Sequence, residues 1–292
     1  MVDQPAPASD TAPATLRDVA ETVAREAAAL ALELRERVVA PAGGLPTKSS
    51  DTDVVTEADT ACEALVRRRL AALRPGEAVL GEEGGGDDGD EGGGGVRWIV
   101  DPIDGTVNYT RGLPWFAVSV GVEVDGEPTA GAVVEPVSGR VWTAARGLGA
   151  SVDGRALRAS TLSDVDTAVV ATGLNYDPAR RRRQAALVAR IAGEVGDLRR
   201  TGCASLDLCA VAAGWVDGFF EHGLHHWDLA AGALVAAEAG ALVVRPRALR
   251  TGTGAHPPAT LSGLGDDAVL AAGPDVAAPL AALLRDAGAA AV

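Results

Sequence analysis

A chain of 292 residues with 47% apolar content can bury one large core or two closely packed halves, and its formal charge of −14 excludes a face for nucleic-acid phosphates or anionic membranes. No apolar run is long enough to span a bilayer, and the acidic, Pro- and Ala-rich start lacks the basic and apolar regions of an export signal, so a cytoplasmic protein with no membrane partner is expected. Three cysteines, Cys62, Cys203 and Cys209, match no zinc spacing and are an odd number for a disulfide framework, which leaves buried thiols.

Residues 1–14 read as a disordered tail. A first helix follows, with Thr15 and Asp18 as a capping box and Leu16, Val19, Val23, Ala27, Leu30, Leu34 and Val38 at three- and four-residue steps until Pro41 and Gly43 stop it. The polar segment 48–59 then leads into a second amphipathic helix through Leu65, Leu70 and Leu73. Lys48 is the only lysine among 26 basic residues, and its compact ammonium suits either a confined site or open surface. Residues 78–81 predict a strand that delivers Glu82. Residues 84–95 are almost entirely Gly, Asp and Glu, which predicts a mobile surface insertion rather than a lid, since nothing in it can pack over a site.

The next apolar run, Val96, Trp98, Ile99 and Val100, reads as a buried strand ending in Asp101-Pro102-Ile103-Asp104-Gly105-Thr106. Pro102 fixes its own φ and keeps Asp101 extended, so two carboxylates and the Ile103 carbonyl can face one point. All-oxygen donors of this kind suit a hard cation such as Mg²⁺, and Gly105 and Thr106 offer an N–H and a hydroxyl to a phosphate beside it. Taken alone, the stretch is equally readable as an acidic turn after a strand.

Alternation over 115–124, 128–134 and 141–144, with turns at Asp125-Gly126, Ser138-Gly139 and Asp153-Gly154, predicts an antiparallel meander. Beyond it, strands at 168–172 and 218–221 and helices at 178–195 and 203–213 alternate as in an α/β half. The run Arg180 to Arg183 cannot share one helix face and reads as a solvated helix start. Asp228 opens a further helix to Glu238, followed by Gly240 as its C-terminal stop, a strand at 242–244 and a last helix at 276–284. The expected division is an N-terminal α+β half, 15–155, carrying the main acidic motif, and a C-terminal α/β half, 156–292, completing the site.

Gly81-Glu82-Glu83, Asp101 to Thr106, and Trp227-Asp228-Leu229-Ala230-Ala231-Gly232 with Glu238-Ala239-Gly240 together resemble the signature set of the inositol monophosphatase family. These are magnesium-dependent, lithium-sensitive phosphomonoesterases of the sugar-phosphatase group, and the resemblance runs from about Leu16 to about Val244. It implies a layered αβαβα sandwich, with an antiparallel meander sheet in the first half and a mixed α/β second half. It implies metal ligation by Glu82, Asp101, the Ile103 carbonyl, Asp104 and Asp228, and catalysis by water oriented by Glu82 and by Thr106 hydrogen-bonded to Asp59. Gly105, Thr106 and the Cys203-Ala204 backbone would hold the phosphoryl oxygens and Glu221 the alcohol, with Asp104 and Asp228 also among the substrate-binding residues. His225 is then expected beside the substrate and His226 in packing. Two to three Mg²⁺ ions are implied: four carboxylates and a phosphate dianion total a formal −6, which three divalent ions neutralise.

Val107 and Tyr109 depart from the Thr and Phe commoner at those places, which touches pocket shape and not ligation. The substrate reading is inositol monophosphate or a similar polyol phosphate, with histidinol phosphate as the alternative. A regulatory binding partner with a vestigial site is the reading from another class, opposed by the intact carboxylate set. Family members are commonly dimers, so a homodimer is one option.

Overall fold

Two β-sheets alternate with three helical layers in the computed structural model, which describes residues 10–38, 51–84, 95–250 and 258–292, and only the backbone of 51–56. The expected tail at 1–9, Lys48 and the Gly-rich insertion at 85–94 lie outside the described residues.

The first helix, α1 (Pro13–Val38), begins before the expected capping box, inside the segment read as tail. Asp10 starts it: its carboxylate accepts from the Ala12 N–H at 2.9 Å and from the Thr15 hydroxyl at 2.8 Å, and Pro13 suits a first turn that needs no N–H. Thr15 is therefore within the helix, not its cap. α2 (Asp51–Leu73) likewise starts earlier than its apolar pattern, because its first turns are polar.

Both helices cover one face of a seven-stranded sheet that follows chain order: β1 (Ala78–Gly81), β2 (Val96–Asp104), β3 (Ala117–Val124), β4 (Glu127–Val134), β5 (Val141–Ala145), β6 (Gly149–Val152) and β7 (Arg155–Ala156). β1 runs parallel to β2, and every later neighbour is antiparallel. The short α3 (Thr106–Thr110) leaves the end of β2. Leu16, Val23, Ala27, Val66, Trp98, Val100, Val120 and Val122 are fully or almost fully buried in the core between this sheet and α1 and α2.

The second sheet is built from β8 (Val169–Thr172), α4 (Pro178–Ile191), β9 (Asp197–Arg199), α5 (Ala204–Ala212), β10 (Gly218–His222), α6 (His226–Glu238), β11 (Leu242–Val244), β12 (Ala268–Ala272) and α7 (Ala277–Asp286). Its strand order is β11-β12-β10-β8-β9, with β8, β9 and β10 parallel and β12 antiparallel to both neighbours. β12, an interior strand of this sheet, and the short β6, β7 and β9 went unpredicted. The run Ala268-Val269-Leu270-Ala271-Ala272 is buried on both faces and so carries no alternation.

α5 and α6 form the middle layer, and α4 and α7 close the outer face of the second sheet. Glycine sets how close α6 lies to the first sheet. A Cβ on Gly121 would stand 2.6 Å from the Ala230 Cβ, and one on Gly131 2.9 Å from the Ala231 Cα. Gly232 gives α6 the same closeness to α5, where a Cβ would stand 3.0 Å from the Leu208 Cβ. In the stretch Asp228 to Gly232 the small residues are thus packing surface, and they fix where the helix start carrying Asp228 falls.

Candidate active site

The Asp101 and Asp104 side chains would point to opposite faces of a regular strand, being three residues apart. β2 carries a bulge there: Asp101 pairs with Ser119 and Asp104 with Ala117, three steps on one strand against two on the other. The extra residue turns both carboxylates to one side. The Ile103 N–H donates to Asp101 Oδ1 at 3.1 Å, and the Thr106 hydroxyl donates back to the Ile103 carbonyl at 3.1 Å, closing the turn. Gly105 then takes φ +93°, a left-handed conformation, and a Cβ there would stand only 3.2 Å from the Gly202 and Trp115 carbonyl oxygens. Asn108 locks the two halves here by donating to the Trp115 carbonyl at 2.7 Å and the Thr201 carbonyl at 2.9 Å. The Tyr109 hydroxyl, extra relative to Phe, donates to the Ala31 carbonyl at 2.9 Å and ties α3 to α1.

Glu82 and Glu83 sit on the turn after β1, held by a residue the sequence reading did not single out. The buried carboxylate of Glu63, on α2, accepts from the Glu83 N–H at 2.9 Å, the Gly84 N–H at 3.0 Å and Arg67 Nε at 2.8 Å. A Cβ on Gly81 or Gly84 would collide with that carboxylate, so the glycines exist to admit it. Its sequence signal was a charge between Cys62 and Val66 on the buried stripe of α2. Oxygens of Asp59, Glu82 and Glu83 lie within 4.8 Å of one another, and Asp59 Oδ1 is buried with no hydrogen-bond partner among the described residues.

From the other half, Asp228 is the third residue of α6 and its Oδ2 accepts from the His225 N–H at 2.6 Å, one side of a reciprocal cap. A cavity of about 210 Å³ opens between the halves, walled by Glu82, Asp104, Gly105, Gly202, Cys203, Ala204 and Asp228 on one side and by Gly173, Asn175, Tyr176, Arg200, Asp207, Glu221 and His225 around the rest. Glu221 reaches it because Gly173 has no side chain in its way. His225 stacks on Trp227 at 4.9 Å beside the cavity, while His226 turns away to Glu123 at 2.9 Å.

The electrostatics are those of an acid cluster short of positive charge. Burial first, then Asp104, Glu82, Asp228 and Asp59, hold the Asp101 carboxyl well above the usual range. Burial likewise raises Asp228, with Asp104 adding to it, and Glu82, with Glu83 and Asp104 adding. Asp104 is raised less freely, because burial is opposed by donors from the start of α5. Asp59 and Glu221 are pushed up to about 8 and Asp207 to about 7, all chiefly by burial. Convergent buried carboxylates, and a ligand-competent group of Asp59, Glu82 and Glu83 made of oxygen donors alone, fit a hard divalent cation.

The structure brings Glu82, Asp104, Gly105, Cys203, Ala204, Glu221 and Asp228 to one cavity, with Asp101, Ile103 and Thr106 directly behind it. Two implied contacts are not formed. The Thr106 hydroxyl has one proton and donates it to the Ile103 carbonyl, not to Asp59, which is raised by burial and sits instead with Glu82 and Glu83. The start of α5 is turned to Asp104: Ser205 N–H donates to Oδ2 at 2.6 Å, the Cys203 thiol to Oδ2 at 3.1 Å, and Ala204 N–H to Oδ1 at 3.3 Å. The helix N-terminus thus compensates a carboxylate of the chain itself. The sequence reading quoted Glu83 in a motif without giving it a role and passed over Arg200 and Asp207; Arg200 lies in an ordinary polar stretch, and Asp207 is a single acid in the apolar run of α5.

Such a layered sandwich, with a carboxylate-rich pocket, defines a phosphoric monoester hydrolase of the sugar-phosphatase type. The family model described as "Inositol monophosphatase family" matches residues 12–288, and the chain belongs to that family. It is 49% identical over 288 residues to an inositol-1-monophosphatase of Mycobacterium leprae, covering 94% of this chain and 95% of the relative. It is 39% identical over 228 residues to the Nus factor SuhB of Escherichia coli, covering 73% and 84%. The solved structure of Mycobacterium tuberculosis SuhB is similar with a TM-score of 0.78 and 41% identity over 96% of this chain and 99% of that one.

Proposed function

We propose that this chain is a Mg²⁺-dependent phosphatase of inositol monophosphate or a similar small polyol phosphate. The observation that carries the reading is the convergence of Asp101, Asp104, Asp228 and Glu82, raised by burial and by one another, on the Gly105-Thr106 end of a cavity large enough for one small ester. Glu82, Asp101, the Ile103 carbonyl, Asp104 and Asp228 would hold Mg²⁺, with Asp59 and Glu83 adjoining Glu82. Bound there, Mg²⁺ neutralises phosphate charge and makes water acidic enough to supply a nucleophile at neutral pH.

The chain's own groups do the rest. The bulge at Pro102-Ile103 orients two carboxylates, and α5 donors hold Asp104 in one rotamer. The Glu63 clamp keeps Glu82 at the rim. Gly105 lines the cavity where its N–H would meet the phosphoryl group, the Thr106 hydroxyl braces the turn through the Ile103 carbonyl, and Glu221 would accept a hydrogen bond from the alcohol. Polyol phosphate is preferred over histidinol phosphate because the 49% identical relative is named an inositol-1-monophosphatase. The name of the Escherichia coli relative supports a second, non-catalytic role alongside this one.

Phosphate release from inositol 1-phosphate, measured after EDTA treatment and again after adding Mg²⁺, tests the reading. Activity should appear only with the metal; equal rates in both buffers would end it.

A further inference from the structure

The cavity holds one feature that neither phosphate chemistry nor the acid cluster accounts for. Arg200, following β9, is the only Arg or Lys among the described residues that line it, against the carboxylates of Glu82, Asp104, Asp207, Glu221 and Asp228. Its guanidinium folds back over Gly202, where φ is +87° and a Cβ would collide with Nη1, so the glycine both makes the turn and admits the arginine. Arg200 makes no hydrogen bond or ion pair with any described residue, which leaves its planar fork of donors free to face the cavity. Its charge bears on Asp207, Glu221 and Tyr176, which line the part of the cavity beyond Asp104 and Asp228.

A fixed cation there cannot be a metal ligand. It lines the same cavity as Glu221, which gives the part beyond Asp104 and Asp228 one donor fork and one acceptor. Neighbouring hydroxyls of a polyol answer both, since each hydroxyl accepts from the fork and donates to the carboxylate. An ammonium group would answer Glu221 alone and would be repelled by the guanidinium.

We propose that Arg200 is the specificity residue for the leaving alcohol, selecting a neutral polyhydroxylated group and disfavouring one that carries an amine. The proposal rests on the phosphatase reading above and deepens it to a substrate class.

The test compares kcat/KM of the full chain at saturating Mg²⁺ for inositol 1-phosphate and histidinol phosphate, in wild type, Arg200→Gln and Arg200→Lys. Arg200→Gln should lower the polyol-to-amine ratio at least tenfold, mainly through a higher KM for the polyol and a lower one for the amine. Arg200→Lys, which keeps the charge and loses the fork, should retain most of the discrimination against the amine. A ratio within twofold of wild type in Arg200→Gln overturns the proposal, and so does an equal loss on both substrates, which would make Arg200 a phosphoryl contact. A wild type inactive on every phosphomonoester is a different failure: it removes the phosphatase reading and this proposal with it.

Discussion

Replacing Glu63 by Gln tests whether a residue outside the cavity sets the turn that carries Glu82 and Glu83. Its carboxylate side chain is 3% exposed and serves three donors, at 2.9, 3.0 and 2.8 Å. An amide has one oxygen, so whichever way the substituted side chain flips, its NH₂ faces either the Glu83 N–H or the pair Gly84 N–H and Arg67 Nε. At least one charge-assisted hydrogen bond is lost, worth about 1.5–3 kcal/mol. Water reaches the turn, and removing the charge relieves some repulsion on Asp59, Glu82 and Glu83, so the lower half of that range is expected. For a chain of this size the metal-free Tm should fall by roughly 3–5 °C. With the turn loosened, the Mg²⁺ concentration for half-activation should rise about threefold to tenfold while kcat at saturating metal changes little. Differential scanning fluorimetry in EDTA and a Mg²⁺ titration of phosphate release measure the two. A lowered Tm with half-activation inside twofold of wild type would show that Glu63 supports the fold and does not position Glu82.

Asp101→Asn and Asp228→Asn each remove one charge from the cluster, so turnover should drop by about a hundredfold or more while the metal-free Tm stays level or rises; retention of a tenth of wild-type turnover would take that residue out of the metal site. Asp59 and Glu221, raised to about 8, and Asp207, raised to about 7, bind protons more tightly in the fold than in the unfolded chain, where carboxyls ionise at about 4. Their stabilising effect is complete below that pH and drains away as pH climbs through 7 to 8, so Tm in EDTA should fall between pH 6 and 8.5, and Mg²⁺ should flatten the slope; a metal-free Tm that rises over this interval contradicts the burial argument. Gly173→Ala places a methyl where the Glu221 carboxylate lies, so KM for inositol 1-phosphate should rise severalfold at near-normal kcat, and an unchanged KM would free Glu221 from substrate contact.

Much of the site was legible because its chemistry is local in sequence. Asp101 to Thr106 is one short stretch, and its Asp-Pro-Ile-Asp run before Gly-Thr offers oxygen ligands and anion donors, a reading that the acidic motifs at Glu82 and Asp228 favoured over a plain acidic turn. The helices bearing Leu16 to Val38 and Asp228 to Glu238 were legible from their periodicity and stops. Only the tertiary structure decided where the hydrogen bonds go, since each donor has one proton and several acceptors compete for it. Thr106 chose the Ile103 carbonyl over Asp59, and the start of α5 chose Asp104. The bulge that puts Asp101 and Asp104 on one face depends on register with β3, and β12 is buried on both sides and so leaves no alternation to read. Glu63, Gly81 and Gly173 look ordinary along the chain, and they acquire a role only when segments distant in sequence come together: a carboxylate beneath a turn, and glycines that leave it room. The sequence by itself determined which groups could carry the chemistry, because composition and spacing set charge and ligand type; long-range packing decided which of them meet, because direction and distance belong to the fold.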